Sequence, residues 1–275
     1  MHNSFRVALR NPGSEFALFM FLSFFVWWIV LNDPLSRGSS EVLQLWGATY
    51  QMIAWYGAIM GLVIARRWGD YKSMVGQAVL AFSLGLLCQS FGQTAYSFYV
   101  YFWKIPIPYP SLGDFGFFGS IPFYMYGAYM LSKISGVKIS LKLYGSKIQA
   151  IIVPAVLLGL SYFLFLKDYV FDWTQPVKTL LDFGYPLGQA VYVSIAILAF
   201  ILSRKILGGI MRLPMLFFIA ALIAQYLSDF VFLIQAQEGS FYPGGINDLM
   251  YAASYALMAI ALCFIGDIHT KIKET

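Results

Sequence analysis

The chain has 275 residues, 60% of them hydrophobic and 11% charged, and a formal net charge of +5. Soluble domains carry about 25% charged residues, so this composition belongs to the integral membrane class. The basic residues fall in short clusters between apolar runs and form no continuous stripe, which argues for membrane topology and against a nucleic-acid partner.

Taken in order, eight apolar runs are long enough to cross a bilayer: 15–32, 45–66, 74–101, 114–132, 147–166, 184–204, 212–234 and 247–267. The first follows Arg6 and Arg10, as the apolar part of a signal peptide would. It ends in Trp27, Trp28 and Asn32-Asp33-Pro34 without a small-residue cleavage site, so it is expected to remain as a membrane helix. Eight spans put both termini on one side. Of the Lys and Arg residues, 14 share that side, and 4 (Arg37, Lys104, Lys167 and Lys178) fall on the other. The excess predicts cytoplasmic N- and C-termini, a short cytoplasmic tail at 268–275, and a multi-pass protein of a prokaryotic inner or cell membrane.

Cys88 and Cys263 lie in apolar runs, at depths that place them in opposite leaflets, so no disulfide is expected. His2 and His269 stand at the two chain ends and build neither a metal site nor a paired-histidine haem site. No glycine-rich phosphate loop, Gly-x-Ser-x-Gly elbow or His-Glu-x-x-His motif occurs. The sequence therefore implies no cofactor, no metal and no catalytic residue.

Two turns punctuate the chain in the same way. Tyr109-Pro110-Ser111-Leu112-Gly113-Asp114 and Tyr242-Pro243-Gly244-Gly245-Ile246-Asn247-Asp248 each deliver an acid to the start of a long apolar helix. Ser111 and Asp114 have the spacing of a capping box, and Asp248 reads the same way against Gly245. Further landmarks recur at nearly constant separation: Gln51 with Gln189 at 138, Gln89 with Gln225 and Gln93 with Asp229 at 136, Asp33 with Asp168 at 135, and Asp114 with Asp248 at 134. This order predicts two tandem four-helix units, 15–132 and 147–267, within a single membrane domain 1–275. Units with an even number of spans insert the same way up, so their pseudo-two-fold axis would follow the membrane normal.

That symmetry gathers Gln93, Asp114, Gln189, Gln225, Asp229 and Asp248 into one polar layer in the extracytoplasmic third. They are the candidate ligand-binding residues. Gln51 and Gln189 are expected near helix starts. Asp229 stands out, because it falls near the C-terminal end of its helix, where the dipole repels an anion; it is expected to face the interior, with Gln225 one turn earlier on the same face. Tyr96, Tyr99, Tyr101, Trp103, Tyr109, Tyr242 and Tyr251 are expected as interfacial anchors, and Gly57 with Gly61 as a small-residue packing face.

The turns Tyr109 to Asp114, Tyr185-Pro186-Leu187-Gly188-Gln189 and Asn247-Asp248-Leu249-Met250-Tyr251, with Ser228-Asp229-Phe230, resemble the multi-helix N-terminal membrane regions of bacterial diguanylate cyclases and related signalling proteins. Gln189 stands where that pattern usually carries Asp, and only about eight residues follow the last run, too few for the cytoplasmic output domain. The resemblance implies an all-α, eight-helix sensory or ligand-binding module that takes an extracytoplasmic or lipid-borne small ligand and signals through a separate output protein. A small transporter or channel subunit using the same polar layer, and a membrane-embedded lipid hydrolase, are the alternatives.

Overall fold

The computed structural model describes residues 11–33, 38–134, 144–167, 169, 171–203 and 211–274. Asp168, the expected counterpart of Asp33, and the basic residues Arg6, Arg10, Arg37, Lys138, Lys142, Arg204 and Lys205 lie outside them. The described residues are helical, with no strand among them.

Helix α1 (Pro12–Leu31) starts with proline at its first position, and the Asn11 side chain accepts from Gly13 N at 2.8 Å. It stops at Asn32, whose amide donates to Trp28 O and across to Gly244 O, each at 3.1 Å. The second apolar run is divided into α2 (Ser40–Gly47) and α3 (Met52–Arg67). In the turn between them, Thr49 Oγ1 donates back to Leu45 O and Gln51 Nε2 to Ala48 O.

Helix α4 (Met74–Ser97) is capped by Ser73 and ends in a π turn at Phe98–Phe102. Next come α5 (Leu112–Ile134), α6 (Tyr144–Ser161, followed by a π turn at Tyr162–Leu166), α7 (Pro176–Ser203), α8 (Arg212–Glu238) and α9 (Ile246–Glu274). Two boundaries differ from expectation. Helix α7 begins at Pro176, not near 184, so Tyr185-Pro186 lies inside it rather than in a turn, and Gln189 sits well within the helix. Neighbouring helices tolerate such an internal proline by satisfying the freed backbone groups. Helix α9 continues through the expected tail, where Lys271 Nζ pairs with Asp267 Oδ2 at 2.6 Å.

Six helical stretches are long and apolar enough to cross a membrane: Pro12–Leu31, Ser40–Arg67, Met74–Phe102, Pro176–Leu202, Arg212–Gln235 and Ile246–Ile272. These make the chain a multi-pass membrane protein in character. The other two expected spans are helical but weaker in this respect. Helix α5 is diluted by Tyr124, Tyr126, Tyr129 and four glycines, and the apolar α-helix at Lys147–Ser161 is short.

Six helices close into a ring in the order α3, α4, α5, α7, α8, α9, each packed on the next and α9 back on α3. Helix α1 lies outside against α9 and α3, and α6 outside against α7. Burial follows this plan: 83% of the apolar window of α9 is buried, against 17% for α1. Phe16, Phe19, Leu22, Val26 and Val30 of α1 are left facing outward, as a lipid-contacting face requires. Gly57 permits the close approach at the ring's centre, since a Cβ there would lie 2.7 Å from both Ala259 Cβ and Leu86 Cδ2.

Candidate functional site

The polar residues collect at the end of the bundle where α5, α7 and α9 begin and α4 and α8 finish. Asp229 of α8 is the best-satisfied acceptor there. Its Oδ2 receives Gln189 Nε2 of α7 at 2.7 Å and Gln225 Nε2, one turn earlier, at 3.2 Å. Its Oδ1 receives the Tyr251 hydroxyl of α9 at 2.5 Å. Three helices thus close on one carboxylate, which meets the demand that an acid inside a membrane bundle find donors.

The chain of amides continues inward. Gln225 Nε2 also reaches Gln89 Oε1 of α4 at 3.5 Å, and the Tyr255 hydroxyl reaches the same oxygen at 3.3 Å. Gln89 Nε2 donates to Ser120 Oγ of α5 at 2.8 Å, and Ser254 Oγ of α9 donates to Gln225 Oε1 at 3.1 Å. All of these side chains except Asp229 and Tyr251 are 5% exposed or less. About two turns of helix deeper on α4 and α8, the network has given way to apolar packing, with Phe82 and Phe218 stacked at 4.4 Å.

Asp114 stands apart from this network. It completes the expected capping box: Ser111 N donates to Asp114 Oδ2 at 2.7 Å, while Asp114 N donates to Ser111 Oγ at 3.3 Å. Its Oδ1 accepts the Tyr185 hydroxyl of α7 at 2.8 Å. Asp248 is built similarly but one residue out of register, with its Oδ2 accepting from Gly244 N at 2.7 Å and its Oδ1 taking a long 3.4 Å bond from the Tyr50 hydroxyl. Both acids are 4% exposed.

Gln93 does not join Asp229. It is half-buried, and its side-chain amide has no hydrogen-bond partner among the described residues. It lines a cleft of ≈ 30 Å³, room for about two waters, together with Gln44, Tyr96, Ser97 and Asp248. Close to this cleft, Gln51 is 7% exposed; its Nε2 donates to Ala48 O at 2.5 Å and to Ser97 Oγ at 3.2 Å, while its Oε1 has no partner.

Tyrosines were the residues that sequence reasoning undervalued. Tyr251, expected at the lipid interface, donates to Asp229 inside the bundle, and Tyr50, Tyr185 and Tyr255 complete other acids and amides. Helical spacing carried a signal: Tyr251 and Tyr255 follow Asp248 at three and seven residues, on one face of α9. Tyr109, also expected at the interface, bonds Asp182 Oδ1 at 2.6 Å, while Tyr169 takes Oδ2 at 2.7 Å. Burial, helped by the Asp182 carboxylate, raises the Tyr109 hydroxyl pKa well above its ordinary value, so it acts as a fixed donor.

Both thiols are free, and no grouping of three His, Cys, Asp or Glu side chains that could hold a metal occurs among the described residues. Comparison with protein-family models, curated proteins and solved structures finds no match.

Proposed function

We propose that the chain is a membrane-embedded sensory, ligand-binding module of eight spans with cytoplasmic termini, made of two tandem four-helix units, that signals through a separate output protein. The observation that carries the reading is the Gln93–Asp248 cleft: an unpartnered amide and a buried carboxylate at one opening, beside a closed network centred on Asp229. The cue enters at the cleft. The Asp229 network holds α7, α8 and α9 together beneath it.

Duplication is supported by pairs at matching separations that occupy matching roles. Gln89 bonds Ser120 as Gln225 bonds Ser254, Asp114 takes the Tyr185 hydroxyl from α7 as Asp248 takes the Tyr50 hydroxyl from the turn before α3, and α5 packs on α7 as α9 packs on α3. On this reading Gln93 and Gln51 are the counterparts of Asp229 and Gln189, and Phe117 of Tyr251. The second unit closes its site with its own side chains; the first, lacking the acid and the hydroxyl, leaves its site open.

Helix α9 suits a signalling element. It carries Asp248 at the cleft, contacts the Asp229 network through Tyr251, and runs as one rod to Glu274 at the opposite end. Passage of a solute is less well supported, because Phe82 and Phe218, each no more than 1% exposed, fill the interior below the polar layer. The test is solute flux in proteoliposomes. The sensory reading expects ions, amino acids and sugars to cross no faster than in empty vesicles, whereas flux that Gln93→Leu abolishes would make the chain a transporter.

A further inference from the structure

We infer that the cleft takes a primary ammonium group, on a free amine or on an aminophospholipid headgroup; the inference rests on the sensory reading above and names its ligand class. Donors and acceptors are out of balance around the cleft. Asp248 Oδ1 has only the 3.4 Å bond from Tyr50, Gln51 Oε1 is buried without a donor, and the Gln93 amide is unpartnered. Gln51 lies behind the cleft, its Nε2 bonded to Ala48 and Ser97, both of which line it. Gln93 and Asp248 therefore set an amide and a carboxylate on one small space, and an ammonium carries N–H donors for both.

Charge points the same way. A carboxylate buried without a countercharge is costly in a bilayer, and no basic side chain lines the cleft. Lys104 is engaged outside it with Glu41 at 3.7 Å, both side chains largely exposed. The Tyr96 ring on the wall adds a face on which a cation is attracted. The cleft of ≈ 30 Å³ has room for an ammonium head, and a quaternary cation, which carries no N–H, could not donate to its acceptors. Val100 and Ile107 then offer an apolar wall for the ligand's carbon chain.

The experiment uses the full-length protein in phosphatidylglycerol nanodiscs, with thermal unfolding followed by tryptophan fluorescence at fixed ionic strength. Methylammonium and ethanolamine should raise Tm saturably, and sodium and tetramethylammonium should not. Gln93→Leu removes a side chain that has no partner in the free protein, so it should fold normally and weaken methylammonium binding about tenfold or more, the equivalent of one hydrogen bond to a charged group. Replacing part of the lipid with phosphatidylethanolamine separates the sources: a raised baseline Tm with a blunted ethanolamine response identifies the headgroup, and an unchanged response identifies the free amine. Equal shifts with sodium, or an unaltered midpoint in Gln93→Leu, would overturn the inference. Neutral acetamide is the further arm: if it binds through Gln93 and methylammonium does not, the ammonium assignment falls while the sensory reading stands.

Discussion

The side-chain amide of Gln225 meets that of Gln89 inside the bundle, Nε2 to Oε1 at 3.5 Å, although 136 residues separate them. Seven residues earlier on each helix, Phe82 and Phe218 stack with the same separation in sequence. Helices α4 and α8 therefore face each other through like residues, as an axis running between them would require. The polar layer has this seam at its centre, the Asp229 network on one side and the Gln93–Asp248 cleft on the other.

A double-mutant cycle tests the seam. Gln89→Leu alone strands Ser120, Tyr255 and Gln225, and should cost about 1 to 3 kcal/mol. Adding Gln225→Leu replaces both partners with apolar groups. The double variant should therefore be more stable than the sum of the two losses by about 0.5 to 1 kcal/mol. Simple additivity, read from unfolding in nanodiscs, would mean that the amides do not interact.

At Asp229 the expected order of damage is set by how many donors are stranded. Tyr251→Phe removes one of three and should cost about 1 kcal/mol, the scale of interhelical hydrogen bonds. Asp229→Leu strands Gln189, Gln225 and Tyr251 together and should cost about 3 kcal/mol or more. Equal stabilities for the two variants would show that the carboxylate does not hold the three helices.

The two acid-bearing turns should respond to different substitutions. Ser111→Ala removes the capping box of α5 and should cost about 1 kcal/mol. Gly244 has φ +76, and a Cβ there would lie 2.7 Å from Leu43 O, so Gly244→Ala should cost about 1 to 3 kcal/mol. It should also loosen α2, which hydrogen exchange across Ser40–Gly47 would detect.

How much of this was legible in the sequence depended on whether the deciding contact was local. The capping box at Ser111–Asp114, the stop at Asn32 and the Gln225–Asp229 pair are set within one helical turn, and reading the residues in order finds them. The start of α7 was misplaced because Tyr185-Pro186 resembles a turn, and only packing against its neighbours keeps the chain helical through Pro186. The roles of Tyr50, Tyr185, Tyr251 and Tyr255 were not legible, since tyrosine serves equally as a lipid-interface anchor and as a buried donor, and the choice depends on which helix lies opposite. The open half of the layer was hidden for the same reason: nothing local distinguishes Gln93, left unpaired, from Gln89, fully bonded.

Outside the membrane, the loop before α7 should lose order in acid. Asp172 accepts from Thr174 Oγ1 at 2.5 Å and from Thr174 N at 2.9 Å, and these bonds hold its pKa below the ordinary carboxylate value. A depressed folded-state pKa means that the contribution to loop order is present above the ordinary value and is lost as pH falls through the lower, folded one. Thr174→Val should move the titration of Asp172 upward, measurable by carboxyl NMR; an unmoved titration would remove the hydroxyl as the cause.

The central claim is that the Gln93–Asp248 cleft opens to the extracytoplasmic side, and its most direct test is thiol labelling at that position. Gln93→Cys would be introduced with Cys88→Ser and Cys263→Ala, and a membrane-impermeant maleimide applied to intact cells. The account predicts labelling without permeabilisation. Labelling that requires permeabilised cells, or that fails even in detergent-solubilised protein, would contradict it.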